Sequence, residues 1–400
     1  MAQNDAKNEL PVQQVKAWLD AAVPFWLTRG VDRTKGGFFE ALSLDGMPLD
    51  TLPKRLRVQA RQIYVSCHAA LLGFSPDALA AAQAGYGFMT RHGWHEEGGW
   101  IHLFDPTGAV IDSKRDAYDH AFALLALSWY YRATGDGGAL DWIERTLAFI
   151  DRDLVHPAGG FLESIPAEGP AAPRRQNPHM HLFEAMLSLY AATGDRQFLD
   201  RATQLWALFK EHFFDAERGI LLEYYDADWK PLAGEQAMVE PGHHCEWVWL
   251  LDKFERLTGE STRAERRGLL DFAMRHGPDP ASGLLMDELH PDGRSRLTTM
   301  RSWPQCEALK AQLTRLEDGQ GSAAADARHF ANGLLTRYLA IEPVGIWQDR
   351  FDAAGKGLTP QVPASTLYHV FLAFAELLRV AGAVPSGAAD AVPLDPSGTA

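Results

Sequence analysis

The feature that most constrains this chain is a repeat. A glycine leading into apolar residues recurs at Gly37, Gly99, Gly160, Gly219, Gly283 and Gly345, at intervals of 62, 61, 59, 64 and 62 residues. Spacing this even sets a period of roughly 61 residues, repeated six times. A second series, Gly73, Gly135, Gly194, Gly259, Gly319 and Gly382, runs at intervals of 62, 59, 65, 60 and 63. Its members end apolar helical stretches, and three lie in near-copies: Ala133-Thr-Gly-Asp136, Ala192-Thr-Gly-Asp195 and Leu257-Thr-Gly-Glu260. That is the pattern expected where glycine takes the left-handed position closing a helix.

Between the markers each unit reads as two helices, for example His120 to Ala133 and Leu140 to Leu154, with apolar residues at three- and four-residue spacing. A short extended piece follows, and turn signals such as Asp105-Pro-Thr-Gly108 and Pro291-Asp-Gly293 predict small β-hairpins at one end. Six helical hairpins either stack as an open solenoid or close into a ring, and closure hides the terminal apolar faces that a solenoid must cap. The expected fold is therefore all-α, an (α/α)6 barrel formed by residues 1–383 as one domain. The stretch 384–400 is Pro-rich, small and aperiodic, and reads as a disordered tail.

Composition narrows the function. The 400 residues carry a formal charge of -14 and no compensating Lys/Arg block, which argues against nucleic acid and mildly against strongly anionic ligands. A few local arginines can still outweigh that field within a Debye length of ~8 Å. Apolar runs such as Ala121 to Leu127 fall short of a ~20-residue membrane span. The opening MAQNDAKNELP lacks the charged start and apolar core of a secretory signal, so a soluble, cytoplasmic protein is expected. Cys67, Cys245 and Cys306 are scattered and form no CxxC pair, which argues against a disulfide framework or a zinc knuckle.

Ionisable residues share one phase of the repeat. Arg61, His120, His181, His243, Gln305 and His369 lie 21 to 24 residues after their marker glycines, within about one helical turn of one another. In a closed ring this phase converges on one mouth, where Tyr118, Phe161, Trp100, Trp303 and Trp347 supply the aromatic walls usual for a small-molecule pocket. A lone histidine at a helix start is ordinarily a cap or a satisfied core residue, and Asp119 beside His120 reads as a helix cap. Three histidines in one phase, His181, His243 and His369, point instead to acid–base chemistry. Glu184 follows His181 by three residues and Glu246 follows His243 by three, so each carboxylate shares a helix face with a histidine it can orient. The same HxH and HHxxE stretches offer metal donors, but HExxH is absent and no cysteine joins them. No phosphate-loop motif follows a strand.

At these motifs the chain resembles the N-acylglucosamine 2-epimerase family of sugar epimerases and aldose–ketose isomerases, which includes mannose isomerases and cellobiose 2-epimerases. The likeness spans residues ~10 to ~380. It rests on Gln59-Ala-Arg61, Tyr118-Asp-His-Ala121, Asn177-Pro-His-Met-His181 with Glu184, Glu240-Pro-Gly-His243 with Glu246-Trp247, Arg301 to Glu307, and Pro363-Ala-Ser365 with Tyr368-His369. The resemblance implies an (α/α)6 barrel without metal or redox cofactor, with His243 and His369 as the acid–base pair. It further implies Arg61 and His181 as substrate-polarising groups, Glu246 as partner of His243, and Asn177, Trp303, Gln305, Trp347, Asp119 and Tyr118 as substrate contacts. Its mannose isomerase branch is the nearest in pattern. The expected activity is interconversion of D-mannose and D-fructose, or of D-lyxose and D-xylulose, through a cis-enediolate. The alternative is a 2-epimerase acting on N-acetylglucosamine and N-acetylmannosamine, mannose and glucose, or cellobiose. A glycoside hydrolase, using Asp119, Glu184, Glu246 and Glu307, and a non-catalytic binding protein stand behind these. The expected partner is a monosaccharide, with a homodimer left open.

Overall fold

The computed structural model describes residues 7–385 apart from 168, 170 and 171; the tail expected from 384 onward lies almost wholly outside them. Twelve α-helices are present among the described residues: α1 Val12–Arg29, α2 Leu56–Leu71, α3 Ala78–His92, α4 Ala117–Thr134, α5 Gly138–Phe149, α6 Asn177–Thr193, α7 Arg196–Leu208, α8 Pro241–Thr258, α9 Arg263–His276, α10 Ser302–Glu317, α11 Ala323–Gly333 and α12 Leu367–Val380. The even-numbered helices form an inner ring in which each packs on the next and α12 packs back on α2. The odd-numbered helices lie outside, with α1 filling the outer place beside α12, where Trp18 meets Phe374 edge-on at 5.6 Å. This is the expected (α/α)6 barrel, and the terminal helices complete one hairpin between them.

Sequence decides which helix goes where. An inner helix touches neighbours on both flanks and an outer helix behind, so it must be apolar nearly all round; in α12, all residues but Arg379 are buried. An outer helix buries one stripe, as α7 does with Phe198, Leu199, Ala202, Leu205 and Trp206. No helix among the described residues is long and apolar enough to cross a membrane.

All twelve marker glycines adopt positive φ, between 67° and 110°. Space adds to the demand at Gly99, where a Cβ would lie 2.6 Å from the Phe149 ring, so backbone conformation and close packing both require glycine there. Two of the expected hairpins form within a repeat, Leu103–Phe104 with Val110–Asp112 and Glu288–Leu289 with Ser295–Leu297. The residues just before each inner helix pair instead with the neighbouring repeat: Lys54–Arg55 with Leu103–Phe104, Arg115–Asp116 with Ser164–Ile165, Arg174–Arg175 with Tyr224–Tyr225, Val239 with Leu289, and Met300–Arg301 with Arg350–Phe351. Gln361–Pro363 then pairs with Ala41–Ser43, which closes the ring a second time. These short ladders fix the inner-helix N-termini around one mouth.

Candidate active site

Five of the inner helices carry near their start a side chain that turns back to the marker-glycine turn. Gln59 accepts from the Phe38 N–H at 2.7 Å, His120 from Trp100 at 2.9 Å, His179 from Phe161 at 2.9 Å, His244 from Leu221 at 3.2 Å and Gln305 from Leu285 at 2.8 Å. A buried amide N–H without an acceptor is costly, so these clamps secure helix to turn. Burial lowers His120 to about 4 and His179 to about 3, so both are neutral acceptors at physiological pH.

The residue two places after each clamp points the other way, toward the barrel axis. These are Arg61, Phe122, His181, Glu246 and Glu307, and His369 takes the equivalent place in α12, two residues after Leu367. With Tyr118, Asn177, Trp303 and Ser365, four of these six (Arg61, His181, Glu246 and His369) line a cavity of about 300 Å³ at the mouth, which His243, Glu240, Arg301 and Asp349 complete.

Of the expected substrate contacts, Tyr118, Asn177 and Trp303 line this cavity, whereas Gln305, Trp347 and Asp119 do not. Gln305 is fully buried and spends its amide on the Leu285 carbonyl, at 2.9 Å, as well as its N–H. Trp347 is fully buried against Trp26, with ring centroids 5.3 Å apart. Asp119 is fully buried between His102, at 2.5 Å, and Arg57, at 3.3 Å; the cap of α4 is Asp116, which accepts from the Tyr118 N–H. His120 belongs to the clamps.

The partner of His243 also differs from expectation. Its Nδ1 lies 2.9 Å from Glu223 and 3.8 Å from Glu240. Gln176 braces the pair, donating to Glu223 at 2.9 Å while accepting from the Trp247 indole at 3.0 Å. Glu246 contributes to His243 only as a weaker, more distant charge. Burial pulls the His243 imidazole down, but Glu223 and Glu240 outweigh it and hold it at about 9, so His243 is an imidazolium at neutral pH. His369 is opposite in character. Its Nδ1 lies 2.7 Å from Glu307, which pairs with Lys310 at 2.6 Å, and burial, Arg61 and Lys310 push it well below the ordinary histidine range. Trp303 packs against both rings, at 5.0 Å from His243 and 5.5 Å from His369. Two histidines whose surroundings drive their affinities for protons apart are an acid and a base in one pocket.

Arg61 reaches the cavity with its guanidinium 4.1 Å from the Phe122 ring centroid, donating to the Tyr118 hydroxyl at 2.8 Å and to the Ser365 carbonyl at 3.3 Å. His181 holds Glu184 at 3.0 Å, and burial lowers it to about 4. Glu246 lies beside His181 and Glu184 on one side and Glu307 and His369 on the other. Burial and Glu307 push its carboxyl well above the usual carboxylate range, and Oε1 has no hydrogen-bond partner among the described residues. Two donor groups, His181 with Glu184 and Glu246, and Glu246 with Glu307 and His369, bring their ligand atoms within 4.8 Å. Either can hold a cation in principle, though each histidine already shares Nδ1 with a carboxylate.

Sequence reading missed Glu223, yet it had a signal. An acid follows the marker glycine by three or four residues in Glu40, Glu163, Glu223, Asp287 and Asp349. Three of these pair with the arginine four places before the clamp: Glu40 with Arg55, Glu163 with Arg175 and Asp287 with Arg301. In the fourth repeat that arginine is replaced by Glu240, which frees Glu223 for His243.

A helical barrel whose mouth presents a histidine acid, a histidine base, a guanidinium and aromatic walls is built for proton transfer on a small polyhydroxy ligand. The chain belongs to the N-acylglucosamine 2-epimerase family, whose pattern it matches over residues 37–373, and it is a sugar isomerase or epimerase. It is 35% identical to a mannose-6-phosphate isomerase of Rhizobium meliloti over 380 residues, 92% of this chain and 97% of that one. It is 30% identical to a D-mannose isomerase of Thermobifida fusca over 292 residues, 68% and 65% of the two chains. The cellobiose 2-epimerase structure from Spirochaeta thermophila superposes with a TM-score of 0.83 at 25% identity, covering 93% of this chain and 98% of that one.

The opposed histidines predict a pH profile. His243 must keep its proton and His369 must lack one, so kcat/KM is expected to be flat through neutrality and to fall as pH rises through about 9. Glu223→Gln removes the charge that lifts His243, so the alkaline limb should move toward the ordinary histidine value of ~6.5. A limb unmoved in Glu223→Gln would show that another group sets it.

Proposed function

We propose that this enzyme interconverts D-mannose and D-fructose. The observation carrying the proposal is the split between a protonated His243 and a neutral His369 on one Trp303 ring. The His243 imidazolium donates to the ring oxygen as the C1–O5 bond breaks, and the imidazole left behind takes the O1 proton as the C1 carbonyl forms, which opens the sugar and restores the imidazolium. His369 then takes the C2 proton through Nε2, its other nitrogen being held by Glu307. The negative charge that develops on the cis-enediolate oxygens is met by Arg61 and by the His243 imidazolium, both already in place before the reaction. Return of the proton from His369 to C1 on the same face, with the O2 proton passing to O1 as the C2 carbonyl forms, gives the ketose. A single base suffices for this transfer, whereas epimerisation needs a proton delivered to the opposite face of C2. The kinship with isomerases of mannose and of its phosphate supports the same choice.

The test is to incubate EDTA-treated enzyme with D-mannose in D₂O and follow the products by proton NMR. Fructose is the expected product. Glucose carrying deuterium at C2, with little fructose, would replace this reading by 2-epimerisation, and unchanged mannose would remove mannose as substrate.

A further inference from the structure

A second cavity of about 330 Å³ opens at the same mouth, lined by Arg57, His102, Lys114, Asp116, Glu163 and Arg175. The two cavities meet near Tyr118, which lines the catalytic one. Arg57 and Arg61 approach this one ring at 5.6 and 5.7 Å from its centroid, Arg57 belonging to the second cavity and Arg61 to the first. We propose that this cavity is a subsite for an anionic group, a phosphate, on the far end of the sugar whose C1 and C2 lie between His243 and His369. The proposal rests on the isomerase reading and narrows its substrate class to aldoses phosphorylated on the distal carbon.

The arrangement of charge carries it. The cavity has acids as well as bases, but they occupy different depths. Asp119, Asp116 and Glu163 are 0%, 7% and 11% exposed, whereas His102, Arg57, Lys114 and Arg175 are 14%, 21%, 27% and 36% exposed. Each carboxylate sits behind a cation: Asp119 behind Arg57 at 3.3 Å, Glu163 behind Arg175 at 2.7 Å, and Asp116 behind Lys114 at 3.5 Å. The acids fix the cations in place, and the outward-facing groups are N–H donors. Arginine forks and an ammonium held this way suit phosphate oxygens. A neutral second sugar would favour a tryptophan or tyrosine platform, and the residues lining this cavity include no tryptophan, tyrosine or phenylalanine. The chain's overall charge of -14 opposes an anion only weakly at this range, since it is screened over ~8 Å.

The experiment pairs calorimetry with kinetics on the full chain, wild type and Lys114→Gln, a substitution at a part-exposed loop residue; the thermal midpoint of each protein verifies folding. Inorganic phosphate and D-mannose 6-phosphate are titrated into both, and kcat/KM is measured for D-mannose, D-mannose 6-phosphate and cellobiose. Wild type is expected to bind inorganic phosphate and to favour the 6-phosphate over mannose by about tenfold or more. Lys114→Gln should weaken phosphate binding and cut that preference by about tenfold, and rising salt should erode it. No phosphate binding with equal use of both monosaccharides would overturn the subsite and leave the isomerase reading standing; so would a preference for cellobiose. If neither monosaccharide reacts, the isomerase reading fails, and the phosphate titrations alone still decide for or against the subsite.

Discussion

His369→Ala is expected to abolish proton exchange at C2 while leaving the barrel folded, with a loss in kcat of ~10² to 10⁴-fold, the range a positioned general base supplies. The cause is specific. His369 is held through Nδ1 by a lysine-paired carboxylate and pushed far below its ordinary proton affinity, so it arrives deprotonated, as His181 does, but it shares the Trp303 ring with the His243 acid. His243→Ala should also lose activity, but for the opposite reason, because it removes an acid. The two variants part in D₂O: with D-fructose, His243→Ala should still wash deuterium into C1 slowly, whereas His369→Ala should not. Exchange surviving in His369→Ala and vanishing in His243→Ala would reverse the assignment. Circular dichroism and the thermal midpoint serve as the control, since both side chains line a cavity and neither supports the clamps between helices and turns.

The ring was legible because its signals are local and repeated. A left-handed helix terminus and a tight turn each demand glycine, and six copies of each, in register, leave little but a helical solenoid or toroid. The site was legible only in part. Counting 21 to 24 residues from the marker glycine groups Arg61, His181 and His369 with His120 and Gln305, yet a shift of two residues turns a helical side chain by about 200°. The first three therefore face the barrel axis, while the last two face the glycine turn and hold it. A histidine is chemically suited to either task, so residue type could not separate them. Glu223 escaped notice because its meaning depends on an exchange elsewhere: where Glu240 stands in place of the arginine that three other repeats carry, the repeat-phased acid turns to a histidine. Glu246 reads as a partner of His243 on helix spacing alone, but three-dimensional packing places it beside Glu307 and lifts its proton affinity instead.

Lys310→Met is expected to destabilise the protein more than any change at the mouth, by ~3–5 kcal/mol, the cost of leaving a buried charge without its partner. Lys310 is fully buried, 2.6 Å from Glu307 and with its ammonium 4.1 Å from the Trp249 ring centroid. Burial disfavours the ammonium, but Glu307, Glu246 and Glu184 together raise its proton affinity above the ordinary lysine value. Because that value is raised on folding, its contribution is fully present below the unfolded value of ~10.4 and is lost only as pH rises through the folded one. The whole effect is thus measurable by urea denaturation at pH 7. Removing the ammonium leaves three carboxyl groups to share the barrel floor, and Glu307, already raised by burial, then takes up a proton and ceases to anchor His369 as a carboxylate. Activity should fall with stability. The double variant Lys310→Met with Glu307→Gln removes both charges, keeps an oxygen that can accept from His369, and should be more stable than Lys310→Met alone. A double variant no better than the single one would show that the lysine acts through packing on Trp249 and not as the counter-charge that lets a base stand in the centre of the barrel.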